Sequence, residues 1–376
     1  MQKILQKIFS ITNENTHKLI TVLGIKVKFK KRASISQLSE IESNLKAELA
    51  LKNDFINQFA IDCYPYEPHS VNVWGSFKEY ALKNNMPSMI ATLKTNLDEK
   101  SVKLIDDFLL KSLLMPEETL SNCCIYKKDY LNSLYSEENL KNKNDFYKNF
   151  NDYKNKFNLS CDNYYSVENF LFHGGLTFCN EKMINYIKNK DFIDGGAFIG
   201  DSVLVFNKYY QPKRIFSFEL SQKTAEKYNK TMADNNIEKN KYELVIMGLS
   251  DKDETIQFND CSSPGTSILN NGKDFGYLTS IDNFCKNKDL DIGFIKLDVE
   301  GQALKAVKGA LETIKKYRPI LSIAIYHSPE EFFKVKPLLE SINNELNYKF
   351  EIKHLHFSPY VMIEYVLFAY PAELQD

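Results

Sequence analysis

The stretch Asp191-Phe192-Ile193-Asp194-Gly195-Gly196-Ala197-Phe198-Ile199-Gly200-Asp201-Ser202 reads as a short apolar strand, an acid, and then glycines that open into a helix. That order suits a loop holding a nucleotide-like cofactor, because glycines let backbone approach a ligand closely and a helix start offers unpaired amides. A second acid follows at a set distance. Ile215-Phe216-Ser217-Phe218-Glu219 is another apolar strand ending in a carboxylate, where a ribose would lie if the first loop held the middle of the cofactor. Alone, the loop reads equally as a tight turn and the acid as a cap for the next helix; together they point to a ligand.

Outward from this stretch, strands and helices alternate from about Cys161 onward, which predicts an α/β fold: a mainly parallel sheet with helices on both faces. The expected strands are 191–194, 215–219, 242–247, 292–298 and 320–326, then 350–357 and 365–370. So short a link between the last two, containing Pro359, requires them to be antiparallel. A terminal hairpin on a parallel sheet separates this chain from a plain dinucleotide-binding fold.

The N-terminal half reads differently. Residues 1–32 carry Lys3, Lys7, Lys18, Lys26, Lys28, Lys30, Lys31 and Arg32 against the single acid Glu14. They form a basic arm, read either as a solvated hairpin around Gly24 or as a peripheral contact with anionic lipid or a partner. From Ser34 to about Phe157 the pattern turns helical. In the stretch 101–115, Val102, Ile105, Leu109 and Leu113 recur at helical spacing, with Leu104 and Phe108 widening the stripe, and Pro116 ends the helix. The Lys-, Asn- and Tyr-rich stretch 126–165 reads as surface helices and a linker. Three parts follow: an arm over 1–32, a helical accessory region over 33–160, and a cofactor domain over 161–376.

At 376 residues and a formal net charge of -1, the chain has length for a large core and lacks the basic surface of a generic nucleic-acid binder. The seven cysteines are odd in number and show no Cys-x-x-Cys pair, so reduced thiols and a cytoplasmic location are expected. No apolar run reaches the ~18 residues a bilayer-spanning helix needs.

Four stretches in order resemble the FkbM-type S-adenosylmethionine-dependent methyltransferases: 192–201, Phe218-Glu219, Leu278-Thr279-Ser280-Ile281-Asp282, and Ile295-Lys296-Leu297-Asp298-Val299-Glu300-Gly301, the last continuing through Gly309-Ala310 to Arg318-Pro319. The resemblance runs from about Phe192 to about Tyr370. It implies a class I methyltransferase, Rossmann-like sheet with the C-terminal antiparallel hairpin, preceded by the mainly helical N-terminal region. It also implies S-adenosylmethionine as cofactor, and within the family the chain looks most like bacterial O-methyltransferases of capsule or other surface-glycan sugars. The acceptor would then be a hydroxyl of a sugar or sugar nucleotide, with a heptose as the candidate.

On that reading Asp194 accepts from the cofactor's amine, Gly195, Gly196 and Gly200 allow close approach, and Glu219 accepts both ribose hydroxyls. Ala197, Phe198, Asp201, Ser202 and Leu220 complete the cofactor set, and Met247, Gly248 and Ser250 lie where the adenine would sit. For the chemistry, Lys296 interrupts a strand that should be buried on both faces, and it shares a side with Asp298. They form either an internal ion pair or part of the reaction site at the strand's C-terminal edge. His327, after the fifth strand, is the first candidate for the base that takes the acceptor's proton; its alternative role is to cap the next helix. His354 and His356 are weaker candidates on the sixth strand. Asp298, Glu300 and His327 could instead hold a divalent ion such as magnesium or manganese, although no fixed-spacing signature supports one. The Ser262–Ser267 loop and His173-Gly174-Gly175 are further candidates for the pocket wall.

Two other functions fit parts of the pattern. An NAD-dependent oxidoreductase would use the same loop and ribose acid, but it leaves Lys296-x-Asp298-x-Glu300-Gly301 and the terminal hairpin unexplained. A catalytically silent assembly module would use the basic arm. Homo-oligomerisation is compatible with all three.

Overall fold

The computed structural model describes residues 9–14, 17–22, 25–30, 73–114, 135–160, 165–260, 272–359 and 361–375. Three strands come first: β1 (Phe9–Glu14), β2 (His17–Val22) and β3 (Ile25–Lys30) form an antiparallel sheet, with Val22 opposite Ile25 across the turn expected at Gly24. The basic arm is thus strand-forming.

The main sheet is built from β4 (Asp191–Gly195), β5 (Ile215–Phe218), β6 (Tyr242–Val245), β10 (Ile292–Leu297), β11 (Ile320–Ala324), β12 (Tyr348–His354) and β13 (Tyr365–Pro371). Its order is β12-β13-β11-β10-β4-β5-β6. β4 pairs in parallel with β5 on one side and β10 on the other, while β13 runs antiparallel to both β11 and β12. The order reverses beside β4, so a crevice opens at the C-terminal ends of β4, β5 and β10, the usual ligand position in such sheets. β4, β5, β10, β11 and β13 are buried throughout, as apolar strands covered on both faces should be.

A second small sheet was not expected from the sequence. It contains β7 (Gly248–Leu249), β8 (Glu254–Phe258) and β9 (Asp274–Thr279), in the order β7-β9-β8. β8 and β9 are half exposed, with Phe275 and Tyr277 open to solvent, so they lack the apolar runs that reveal the main strands.

The accessory helices share the sheet's core. Helices Val73–Lys83, Met86–Lys94 and Glu99–Leu114 place Phe77, Ile90, Leu93, Ile105 and Phe108 in one hydrophobic cluster with Ile295, Ile323 and Phe332. Phe108 stacks on Phe332 of helix Pro329–Ser341 with ring centres 4.4 Å apart. The buried side of the 99–114 helix runs through Ser101, Ile105, Phe108, Leu109 and Ser112, a slight rotation from the stripe read in sequence. The reason is the edge strand: Ser101 Oγ accepts a hydrogen bond from Ile352 N at 2.8 Å and so covers β12. Lys336, 1% exposed, fastens the same layer by donating to Thr95 O at 2.7 Å. On the other face, Phe146 of the long helix Glu137–Lys156 joins Phe157, Phe170, Phe192 and Phe294. No helix among the described residues is long and apolar enough to cross a membrane.

Candidate active site

The loop after β4 turns sharply because three of its residues have positive φ: Gly196 at 80°, Phe198 at 45° and Gly200 at 84°. The structure gives the glycines a reason the sequence did not suggest. A Cβ on Gly196 would lie 1.8 Å from the carbonyl oxygen of Asp298, and one on Gly200 would lie 2.6 Å from Met232 Cε. Close packing of the loop against the β10 end and the Gln222–Asp234 helix therefore excludes a side chain there, independently of any ligand. Asp298 N donates to Gly195 O at 2.9 Å, locking the two loops together.

Glu219 anchors the same loop. Its carboxylate accepts from Phe198 N at 3.1 Å and Ser221 N at 2.8 Å. Burial pushes its pKa up to about 7, against the pull of these amides. Ala197 is buried, whereas Phe198 and Leu220 are half-buried beside it. Asp194 is turned inward: it is fully buried, accepts from Ser202 Oγ at 2.5 Å, and lies 3.6 Å from Lys296 Nζ. Its other oxygen, Oδ1, has no hydrogen-bond partner among the described residues. Asp201 also faces inward, accepting from Asn169 Nδ2 at 2.8 Å. Met247, Gly248 and Ser250 follow β6 as expected, but Gly248 enters the small sheet and Ser250 is buried, its N donating to Thr279 O.

Lys296 is 5% exposed at its side chain, and its partners are Asp194 at 3.6 Å and Glu168 at 3.9 Å. The internal ion pair expected with Asp298 is thus made with other acids, because Asp194 on the adjacent β4 stands directly opposite Lys296 in the sheet register. Burial would lower the Lys296 ammonium, but Asp194, Glu168, Asp298 and Asp201 outweigh it and hold the group charged.

At the ends of β10 and β11 the chain gathers a second set. His327 Nε2 lies 3.3 Å from Asp298 Oδ1 and 3.6 Å from Glu300 Oε2. The imidazole is 6% exposed, and Asp298 and Glu300 are 22% and 32% exposed at their side chains, so the three open on one side only. Burial lowers the His327 pKa, with Asp298 opposing, so the neutral ring is favoured near neutrality. Burial pushes Glu300 up to about 9, and Asp298 adds to the shift. Glu300 also sits at a positive φ of 47°, a strained position for a non-glycine residue. The helix-cap alternative for His327 does not hold: Ser328 caps the following helix, its Oγ accepting from Glu331 N.

Three acids here were not found in the sequence: Glu168, Glu331 and Glu364. Each lies on a segment whose spacing says nothing of its neighbours. Glu168, Asp298 and Glu364 bring carboxylate oxygens within 4.8 Å of one another, the set among the described residues whose geometry would suit a cation. It shares only Asp298 with the metal set expected from sequence, and Lys296 already supplies positive charge beside Glu168. Burial pushes Glu168 up to about 8, with Lys296 opposing and the neighbouring acids adding to the shift.

The remaining candidates lie elsewhere. His173 Nδ1 is 2.7 Å from Tyr210 Oη, and its ring stacks on Tyr209, at the far end of the helix that begins in the glycine loop. Gly174 and Gly175 instead pack against the Lys296 stem and Ser322. His354 stacks on Tyr365 at 4.3 Å, and His356 Nδ1 accepts from Ser358 N. The Ser262–Ser267 loop lies outside the described residues. Of the cysteines, Cys179 and Cys285 are described, and both are free thiols.

Residues 194–351 match the family model of the methyltransferase FkbM domain. The crystal structure of methyltransferase FkbM from Methylobacillus flagellatus KT is similar in fold, with a TM-score of 0.53 at 18% identity, covering 78% of this chain. This chain spans 61% of the length of that one. A putative methyltransferase from Streptococcus mutans in complex with SAH matches 50% of this chain and 92% of its own at 11% identity, with a TM-score of 0.33. No curated protein matches. The sheet order agrees with the fold of the FkbM methyltransferase structure, and residues 194–351 are similar to the methyltransferase FkbM domain.

Proposed function

We propose that this chain is an S-adenosylmethionine-dependent O-methyltransferase acting on a hydroxyl of a sugar or sugar nucleotide, with a surface-polysaccharide heptose as the first acceptor to try. The observation that carries the reading is the meeting of His327, Asp298 and Glu300 at the sheet edge, next to a loop pinned by Glu219. When bound, the cofactor supplies an electrophilic methyl group on a cationic sulfur. Glu219 fits its ribose, since an ionised carboxylate offers lone pairs beyond those used by Phe198 and Ser221. The surplus of carboxyl groups around Asp298 favours a cation over an anion at that edge. His327 takes the acceptor's proton at Nε2, and a base so placed contributes ~10²–10⁴ in rate. Asp298 orients the hydroxyl between itself and the ring. Domain boundaries at 32/33 and 160/161, a cytoplasmic location and a homo-oligomer complete the proposal.

The test has two parts. Calorimetry on the full chain is expected to show binding of S-adenosylhomocysteine and none of NAD; the reverse result would favour the oxidoreductase. Incubation with S-adenosylmethionine and a panel of sugars and sugar nucleotides is then expected to give a mass gain of one methyl group. His327→Ala should lose turnover ~10²-fold or more while keeping cofactor affinity. Full turnover in that variant would remove His327 from the mechanism.

A further inference from the structure

Glu331 stands at the third position of helix Pro329–Ser341 and has no exposed surface. Its neighbour Ser328 caps the helix, and the reciprocal half of a capping box would return the Glu331 carboxylate to the Ser328 backbone. The carboxylate stays close enough to Ser328 to feel its backbone and hydroxyl, and it also reaches across the site. Oε1 accepts from Ala303 N at 2.7 Å, the first residue of helix Ala303–Lys308, directly after the Asp298–Gln302 turn. Oε2 is buried without a hydrogen-bond partner among the described residues and lies 3.8 Å from His327 Nδ1, which is likewise buried without one among them. Two orphaned polar atoms facing each other in a buried position are costly to keep, unless a small closure brings them together.

We propose that Glu331 is the positioning residue of this site, accepting the Nδ1 proton of His327 and thereby leaving the Nε2 lone pair facing Asp298 and Glu300. This rests on the reading of His327 as the base. One carboxylate then performs two tasks: it fixes the imidazole tautomer and ties the β11 loop to the β10 loop through Ala303. The groups around the ring favour this assignment. Burial pushes Glu331 up to about 8 against the pull of the Ala303 amide, so its ionised form is the one held at the alkaline end, and Nε2 and Asp298 Oδ1, although 3.3 Å apart, form no hydrogen bond. Both ring nitrogens face carboxylates, Asp298 at 3.3 Å and Glu331 at 3.8 Å, and a proton on Nδ1 is the placement that leaves Nε2 free for the task required of it.

Glu331→Gln gives a sharp test because its two ends differ. The Gln oxygen must stay on Ala303 N–H, so its NH₂ faces Nδ1 as a donor and forces the proton to Nε2. Imidazole ¹⁵N shifts of the full-length protein, assigned with His327→Gln, are expected to show the Nδ1–H form in the wild type and the Nε2–H form in Glu331→Gln. Turnover should fall at least tenfold in that variant. Ser328→Ala, which removes only the cap, should leave the tautomer unchanged. An Nε2–H form in the wild type overturns the proposal without needing any variant, and so does an unchanged tautomer in a folded Glu331→Gln. Absence of S-adenosylhomocysteine binding by the wild type would defeat the methyltransferase reading instead, while the ring measurement on the free protein still decides the role of Glu331.

Discussion

The two halves of the sheet edge treat their carboxylates in opposite ways. At β4 and β5, both Glu219 oxygens and Asp194 Oδ2 take hydrogen bonds from Phe198, Ser221 and Ser202, all within 21 residues along the chain, while Asp194 Oδ1 faces the Lys296 ammonium at 3.6 Å without a hydrogen bond. At β10 and β11, Asp298 Oδ1, His327 Nδ1 and Glu331 Oε2 are buried with no hydrogen-bond partner among the described residues, the imidazole lying 3.3 Å from Asp298 and 3.8 Å from Glu331. Satisfied acids hold a loop in place. Unsatisfied ones keep an electrostatic demand that a ligand or a transition state can meet, the usual condition of a reaction site. Lys296 stands between the halves and is the ammonium that Asp194 and Glu168 share.

The largest effect should come from removing that ammonium. Lys296→Met leaves two buried acids without their cation, and breaking one side of a buried ion pair costs ~3–5 kcal/mol. Urea unfolding is expected to show the loss, with partial recovery in Lys296→Met/Glu168→Gln; a wild-type midpoint in the single variant would mean that the acids are neutral and the two halves are uncoupled.

Glu219→Ala should act on the satisfied half and on the cofactor alone. Losing a charge-assisted hydrogen bond of about 1.5–3 kcal/mol corresponds to roughly ten- to a hundredfold weaker S-adenosylhomocysteine binding by calorimetry. Unchanged affinity would show that Glu219 serves only the loop.

The last comparison is of pH dependence. Burial raises Glu219 to about 7, Glu168 and Glu331 to about 8 and Glu300 to about 9, from an ordinary 4.5. Between 4.5 and those values the folded chain keeps protons that the unfolded chain has released, so stability falls as pH rises through that window. His327 works in the other direction: its lowered pKa costs stability as pH falls below 6.5. The melting temperature of the ligand-free protein should therefore decline from about pH 6 to about pH 9. A rise over the same interval would contradict burial of these acids in protonated form.

Much of the fold was legible because its signals are local. Apolar runs at 191–195, 215–218, 292–297 and 320–324 could only be buried strands, and the glycines and acids at their ends marked the edge that matters. β8 and β9 were missed because a half-exposed strand carrying Phe275 and Tyr277 on its surface lacks a readable apolar run. Lys296 was recognised as buried, but its partner was assigned within its own strand. The register with β4 chose Asp194 instead, and α-helical segment 167–170 brought Glu168.

The sequence by itself determined the parallel sheet, its terminal hairpin, the glycine turn and the placing of Glu219, Asp298 and His327 at strand ends, since periodicity and turn chemistry act over a few residues. Only the tertiary structure decided that Gly196 is required by the Asp298 carbonyl, that Asp194 points inward, and that Glu168, Glu331 and Glu364 join the site. Those outcomes depend on which segments the packed sheet brings within a few ångströms of one another, and Coulomb forces and steric exclusion at that range leave no trace in linear spacing.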